Sequence, residues 1–279
     1  MQPKVPTRPP RANILGTGVH AVNLEMAVEY LDACVESGTR GYVCVTGVHG
    51  VMEALRNRNF RTVLNGALLV TPDGMPTVWI GRLQKHSSMQ RVFGPDLMRA
   101  VCEQSVRSGH THFFYGGKPG VAEELKSNFE RWYPGIRVLG TSTPPFRRLT
   151  HQEESDLSDQ IAGLKPDIIW IGLSTPKQEM FMVERIHDLN CKLMIGVGAA
   201  FDFHTGRTKD APDWIKNAGL QWLHRLYQEP GRLWKRYLVN NLAFCWHLAL
   251  QAMGSRRYNL SSEFNGLDAR ALQDSYRAK

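Results

Sequence analysis

Residues 166–202 read PDIIWIGLSTPKQEMFMVERIHDLNCKLMIGVGAAFD. Two apolar runs, Asp167–Gly172 and Lys192–Val197, flank Lys177–Asp188, whose apolar residues recur at helical spacing. Runs of this kind belong to strands covered on both faces, and an intervening helix is the crossover that a parallel pair requires. The same alternation extends outward. Strands are expected at Tyr42–Thr46, Ala67–Thr71, His112–Tyr115 and Ile136–Leu139, with helices near Val22–Glu36, Gly50–Asn57, Asp96–Ser108 and Val121–Arg131. The pattern predicts an α/β domain with a parallel sheet and helices on both faces.

In such a sheet ligands bind beyond the carboxyl ends of the strands. The residues there are Thr46-Gly47-Val48-His49-Gly50, Thr71-Pro72-Asp73-Gly74, Gly116-Gly117-Lys118-Pro119-Gly120, Gly172 to Glu179, and Gly198-Ala199-Ala200-Phe201-Asp202. Glycine beside polar groups lets backbone N–H groups come close to a phosphate.

After Phe203 the strands stop. Of 279 residues, 42% are apolar and 22% charged, and the net charge is +8. Between Trp214 and Arg257 seven Lys or Arg face one acid, Glu229, which gives +6, and four of the seven Trp lie there too. A basic, indole-rich helical segment suits phosphate or a lipid headgroup layer, with nucleic acid as the competing partner. Within it Tyr237–Met253 has the composition of an interfacial helix anchored by Phe244, Trp246 and Leu248. Asn240, Asn241 and His247 argue against a span.

Other classes are disfavoured. No apolar run reaches the ~18 residues of a membrane span. Met1–Arg11, with four prolines, lacks the apolar stretch of a signal peptide. Five scattered Cys form no CxxC pair, which fits a reducing cytosol, and the ten His show no metal-ligand spacing. Gly16-Thr17-Gly18-Val19-His20-Ala21 matches a dinucleotide fingerprint. The strand ahead of it is short and the next one, Tyr42–Thr46, ends without a ribose-binding carboxylate, so a glycine turn is expected instead.

With its strand-end loops the chain resembles the WecG/TagA/CpsF family of bacterial glycosyltransferases from about Asn13 to Gln251. The likeness rests on Thr71-Pro72-Asp73-Gly74-Met75-Pro76 with Val78-Trp79, on Gly116 to Gly120, and on the run Pro166–Tyr237. That run includes Pro176-Lys177-Gln178-Glu179, Val197 to Asp202 and Trp222-Leu223-His224-Arg225-Leu226. The resemblance implies a Rossmann-like core and transfer of a sugar from a UDP-sugar to a polyprenyl-diphosphate-linked saccharide in surface-polymer synthesis. The sugar would be N-acetylmannosamine, its uronic acid or a hexose. It further implies inversion, no metal or other cofactor, no nucleic-acid partner and self-association. The enzyme would sit peripherally on the inner face of the cytoplasmic membrane, with an appendage that meets the membrane and completes the site.

The site residues follow by position. Asp73 matches the family's catalytic aspartate, and a carboxylate in a Gly-flanked loop can act as a base if burial raises its pKa; the turn sequence Pro-Asp-Gly explains it equally well without catalysis. Thr46 matches a threonine of the active pocket. Many relatives have Asn where Val48 stands, and His49 is the neighbouring polar substitute. Gln178 and Asp202 match positions lining the nucleotide pocket, where an amide and a carboxylate suit uracil edges and ribose hydroxyls. Glu179 fits binding or a helix first turn. Gly198, Gly116 and Gly117 would allow close approach of the diphosphate, and Lys118 could pair with it. No Asp-x-Asp metal pair is present. Arg225, Arg232 and Lys235, spaced as on one helical face that Pro230 with Gly231 interrupts, are therefore the expected charges opposite the leaving group, with Arg236 adjacent.

The expected plan is an N-terminal arm (1–12), a catalytic core (13–212), the helical appendage (213–253) and a polar, mobile tail (254–279). Two rival readings remain: an NAD-linked sugar dehydrogenase, and a non-catalytic nucleotide-sugar-binding assembly factor.

Overall fold

The computed structural model describes residues 5–260. Among these, eight strands occur in chain order: β1 (Arg11–Ile14), β2 (Thr17–His20), β3 (Gly41–Thr46), β4 (Leu69–Pro72), β5 (Thr111–Gly116), β6 (Arg137–Ser142), β7 (Ile168–Gly172) and β8 (Leu193–Gly196). β1 and β2 form a separate hairpin, and the other six form one sheet in the order β4-β3-β8-β7-β5-β6. Pairing is parallel from β3 through β6, and helices flank the sheet, as the alternating pattern predicts. The two strands quoted first, β7 and β8, fill the middle. That placement explains their unbroken apolar runs: Ile168 to Ile171 and Leu193 to Ile195 are at most 1% exposed.

The six expected sheet strands all form, with ends shifted by at most three residues. Four helices lay outside the sequence expectation: Arg58–Gly66, Met75–Leu83, His151–Leu164 and Ala200–His204. His151–Leu164 buries only Leu157 and Ile161, too narrow a stripe to read as periodicity. Its start is set by a reciprocal cap, in which Thr150 N–H donates to Glu153 Oε2 at 2.7 Å and Glu153 N–H donates to Thr150 Oγ1 at 3.3 Å.

The glycine pair near the N-terminus serves a hairpin. Leu15 (φ 53°) and Gly16 (φ 85°) form the two-residue turn between β1 and β2, a left-handed pair of the kind whose twist suits adjoining strands. Asn65 clamps it, accepting from Gly18 N–H at 2.8 Å and donating to Gly16 O at 2.9 Å. A dinucleotide fingerprint needs a strand leading into a helix, so the dehydrogenase reading loses its structural basis.

The described chain forms two compact units. The first comprises residues 5–8, 24–44 and 94–208, and its core includes Phe113, Phe114, Phe129, Trp170 and Phe201, all at most 1% exposed. Within it His112 accepts from Trp170 Nε1–H at 3.0 Å. The second comprises residues 9–23, 45–93 and 209–260, around Ile14, Phe60, Leu64 and Leu69.

The basic segment is helical, but not as one rod. Helix Gln221–Gln228 ends at Glu229, and a second helix, Pro230–Ala252, begins there with proline in its first turn. Arg225 therefore lies on a different helix from Arg232 and Lys235, and the break that Pro230 and Gly231 mark divides the helical face expected for the three. Trp222 packs on Tyr237, ring centroids 5.9 Å apart, to join the two helices. The inner face of Pro230–Ala252 presents Leu233, Asn240 and Phe244, each at most 5% exposed. Trp234, Leu238, Leu242 and Trp246, four residues apart, are 55–66% exposed. Phe244 is thus a core residue and not an outward anchor; its position seven residues from Tyr237 and eleven from Leu233 puts it on the buried stripe.

Residues 254–260, within the segment expected to be mobile, turn back onto the hairpin. Tyr258 is 7% exposed, its carbonyl accepts from Asn13 Nδ2 at 2.6 Å, and its hydroxyl meets His247 Nδ1 at 2.8 Å. The remainder of the expected tail, 261–279, and the first four residues of the expected arm lie outside the described residues.

Candidate active site

Asp73 follows β4 directly and is tied to the end of β3: its backbone N–H donates to Thr46 O at 3.1 Å. The residue is half-buried and its Oδ1 is removed from solvent. Oδ2 lies over Gly47, 3.8 Å from where a Cβ would stand. After Gly74 the chain enters Met75–Leu83, whose first turn is closed by Thr77 Oγ1–H donating to Gly74 O at 2.6 Å. On its other side, Val92 N–H donates to Pro72 O at 2.8 Å. The Asp73 loop is thus held by backbone bonds from two flanking segments.

Thr46 is 2% exposed. It packs on Gly50 in helix Val48–Arg56, where an added Cβ would fall 2.9 Å from Thr46 Cγ2. Glycine at this helical position makes room for the threonine. Val48 opens that helix, and His49 follows it.

The second unit also carries a cation that sequence reading missed. Arg91, next to Val92 at the Asp73 loop, places its guanidinium 4.6 Å from the Phe93 ring centroid and donates to Gln221 of helix Gln221–Gln228. Nothing in the sequence marks it, because a single Arg between the buried Met89 and Val92 has no spacing to betray it. Arg225, on the same helix as Gln221, has a side chain 22% exposed and faces Glu229 Oε1 at 3.7 Å. The side chains of Arg232, Lys235 and Arg236 lie outside the described residues, and only their place on Pro230–Ala252 is known. Gly219, with φ +72°, lets the approach to these helices rest on Trp79: a Cβ there would fall 2.8 Å from the indole.

In the first unit, Gln178 is 2% exposed and works inside the loop. Its Oε1 accepts from Gly198 N–H at 2.9 Å, and its Nε2 donates to Glu179 Oε1 at 3.0 Å. Glu179, 1% exposed, also accepts from Thr175 Oγ1–H at 2.9 Å. Burial pushes the Cys44 thiol well above its ordinary pKa, and the negative charge of Glu179 adds to the effect. Gln178 therefore sets the shape of the Gly198 turn (φ +54°) and keeps one amide hydrogen and one lone pair for other partners. Asp202 is half-buried in Ala200–His204.

Gly116 and Gly117 each leave room for a close neighbour. A Cβ on Gly116 (φ +130°) would lie 2.7 Å from the Gly172 backbone, and one on Gly117 (φ +79°) 2.9 Å from Val121. Gly117 N–H donates to Gly172 O at 3.1 Å, which joins the ends of β5 and β7. Lys118, beyond them, is exposed.

The sequence-selected residues thus fall into two groups. Asp73, Thr46, His49 and Arg225 lie in one unit; Gln178, Glu179, Gly198, Asp202, Gly116, Gly117 and Lys118 lie in the other.

The model of the glycosyl transferase WecG/TagA/CpsF family matches residues 12–258. Two curated relatives carry the same name, N-acetylglucosaminyldiphosphoundecaprenol N-acetyl-beta-D-mannosaminyltransferase. The one from Bacillus spizizenii is 28% identical over 76% of this chain and 80% of its own length. The one from Bacillus subtilis is 28% identical over 77% and 82%. The matched span takes in both groups of loop residues and the helices that follow, and the chain belongs to the WecG/TagA/CpsF family of glycosyl transferases.

Proposed function

We propose that the protein transfers a sugar from a UDP-sugar to a polyprenyl-diphosphate-linked saccharide, with inversion at the anomeric carbon and without a metal ion. The names of the two Bacillus relatives make an N-acetylmannosaminyl donor and a lipid-linked N-acetylglucosaminyl acceptor the first pair to test. In this reading Asp73 takes the proton of the acceptor hydroxyl as its oxygen attacks the anomeric carbon. The bond to the diphosphate oxygen breaks, and UDP departs from the opposite face with the electron pair. Thr46 orients the sugar. Asp202, the Gly198 turn shaped by Gln178, and Gly116-Gly117 hold the nucleotide. Arg225, Arg232 and Lys235 balance the leaving diphosphate.

The observation that carries the reading is the Asp73 carboxylate, with one oxygen out of solvent and its backbone bonded to Thr46 at the strand ends. Partial burial beside a fixed loop is the setting in which a carboxylate serves as a base. Peripheral attachment to the inner face of the cytoplasmic membrane is proposed for the exposed Trp234, Leu238, Leu242 and Trp246 stripe with its basic neighbours. Among the described residues no helix is long and apolar enough to cross a membrane.

The deciding experiment incubates the protein with lipid-linked acceptor and a panel of UDP-sugars, with and without EDTA. Transfer from one donor with the anomeric configuration inverted, undiminished by EDTA, supports the proposal. UDP-sugar binding without transfer to any lipid-linked acceptor would favour the assembly-factor alternative.

A further inference from the structure

On helix Pro230–Ala252 the amide of Asn240 is buried, 5% exposed. Its partners dictate which way it points. Arg56 Nη2 stands 2.6 Å from one end of the amide, and His49 Nδ1 stands 3.1 Å from the other. A guanidinium has N–H donors and no acceptor, so the end facing Arg56 is the carbonyl oxygen. The end facing His49 is then the NH2 group, which only donates, and His49 Nδ1 has to accept. An imidazole that accepts at Nδ1 is neutral and carries its proton on Nε2. Glu53 completes the cluster, bonded by Arg56 at 3.1 Å and lying 3.9 Å from His49 Nδ1. The assignment follows from donor and acceptor chemistry alone.

His49 lies three residues beyond Thr46, whose carbonyl holds the Asp73 backbone. We propose that Asn240 is a positioning residue: from the C-terminal helix it fixes His49 in the neutral Nε2–H form and so holds the Thr46–His49 segment, the end of β3 and the first turn of helix Val48–Arg56, against Asp73. The proposal rests on the reading of Asp73 as the base. It assigns the C-terminal helix a geometric part in catalysis, separate from its charges and its outward apolar stripe.

Two variants of the full chain separate tethering from tautomer. Asn240→Asp keeps an acceptor for Arg56 but offers His49 only acceptors, so Nδ1 must gain a proton. Asn240→Ala removes both contacts. With ¹⁵N-labelled histidine, the parent should show a bare Nδ1 and a protonated Nε2 at His49, and Asn240→Asp should show Nδ1 protonated. Both variants should lose kcat by about ten- to hundredfold, the scale of a small misplacement in an active site. KM for the donor should change less than about twofold on the same argument, and binding to anionic vesicles should match the parent. A protonated Nδ1 in the parent, or parent kcat in Asn240→Asp, overturns the proposal. Should Asn240→Ala fail to fold, the Asp variant and the nitrogen shifts still decide. A parent with no transfer activity would sink the proposed function, while the nitrogen shifts would still test the tautomer.

Discussion

Asp73 and Thr46 are joined by a backbone hydrogen bond of 3.1 Å between the ends of β4 and β3. The two residues come from sequence positions 27 apart, and the bond makes their side chains parts of one loop assembly. If Asp73 is the base, removing its charge should leave that assembly in place. Asp73→Asn is expected to lower kcat by about 10²- to 10⁴-fold, the usual worth of a general base. The denaturation midpoint and UDP-sugar affinity should stay near parent values. Steady-state kinetics beside a thermal melt check this; parent-like turnover would remove Asp73 from the mechanism.

Gly50 offers a test of how tightly Thr46 is seated. Alanine there gains up to ~1 kcal/mol of helix propensity but places a Cβ 2.9 Å from Thr46 Cγ2. Overpacking of that kind costs about 1–3 kcal/mol, so Gly50→Ala should be net destabilising and should impair turnover. Adding Thr46→Ser removes the offending methyl while keeping the hydroxyl. The double variant should recover stability in a urea titration.

The buried pair His112–Trp170 predicts the acid limb of stability. Burial, reinforced by His110 and opposed by Asp167, lowers the His112 pKa from 6.5 to about 3. Between those values the unfolded chain binds a proton that the folded one refuses. Stability from this group is therefore complete above pH 6.5 and is lost as pH falls toward about 3. The slope should approach ~1.4 kcal/mol per pH unit. His112→Gln removes the titration, and its urea midpoints should vary less with pH over that interval than the parent's.

The outward stripe of the C-terminal helix predicts a separable lipid affinity. Burying each Leu contributes about 1.5–3 kcal/mol. Leu238→Glu with Leu242→Glu should therefore weaken binding to anionic vesicles by more than about a hundredfold. Both side chains are at least 56% exposed, so the melt should barely move. Co-sedimentation measures the first effect and calorimetry the second.

The strand-end loops were legible because β7 and β8 are buried on both faces, which leaves unbroken apolar runs that end in glycine. What those glycines do was not legible. Gly116 and Gly172 look alike as phosphate-loop residues, yet each admits a close neighbour, the Gly172 backbone in one case and the Phe201 ring in the other. The sequence marks Gln178 as a pocket residue, and only its bond to Gly198 reveals a supporting part. At the hairpin the short strand and the glycine turn are legible but the return strand is not, since Thr17-Gly18-Val19-His20 carries one large apolar residue; helix Met75–Leu83 is masked by Pro76 and Gly81 within nine residues. The break between Arg225 and Arg232 is legible in Pro230 with Gly231, and the structure puts it at Glu229. His49 and Asn240, 191 residues apart, have no sequence relation at all.

The bond from Asn13 to Tyr258 spans 245 residues. The unit that carries Asp73 is assembled from three separate stretches of the chain, and the last of them includes Tyr258. During synthesis, which runs from the N-terminus, the β1–β2 hairpin emerges long before the partner that covers it. That unit consequently cannot mature on the ribosome until residue 258 has emerged, and a nascent chain stalled before residue 209 would present Asn13 and Leu15 without Tyr258 and Gln251, their hydrogen-bond partners.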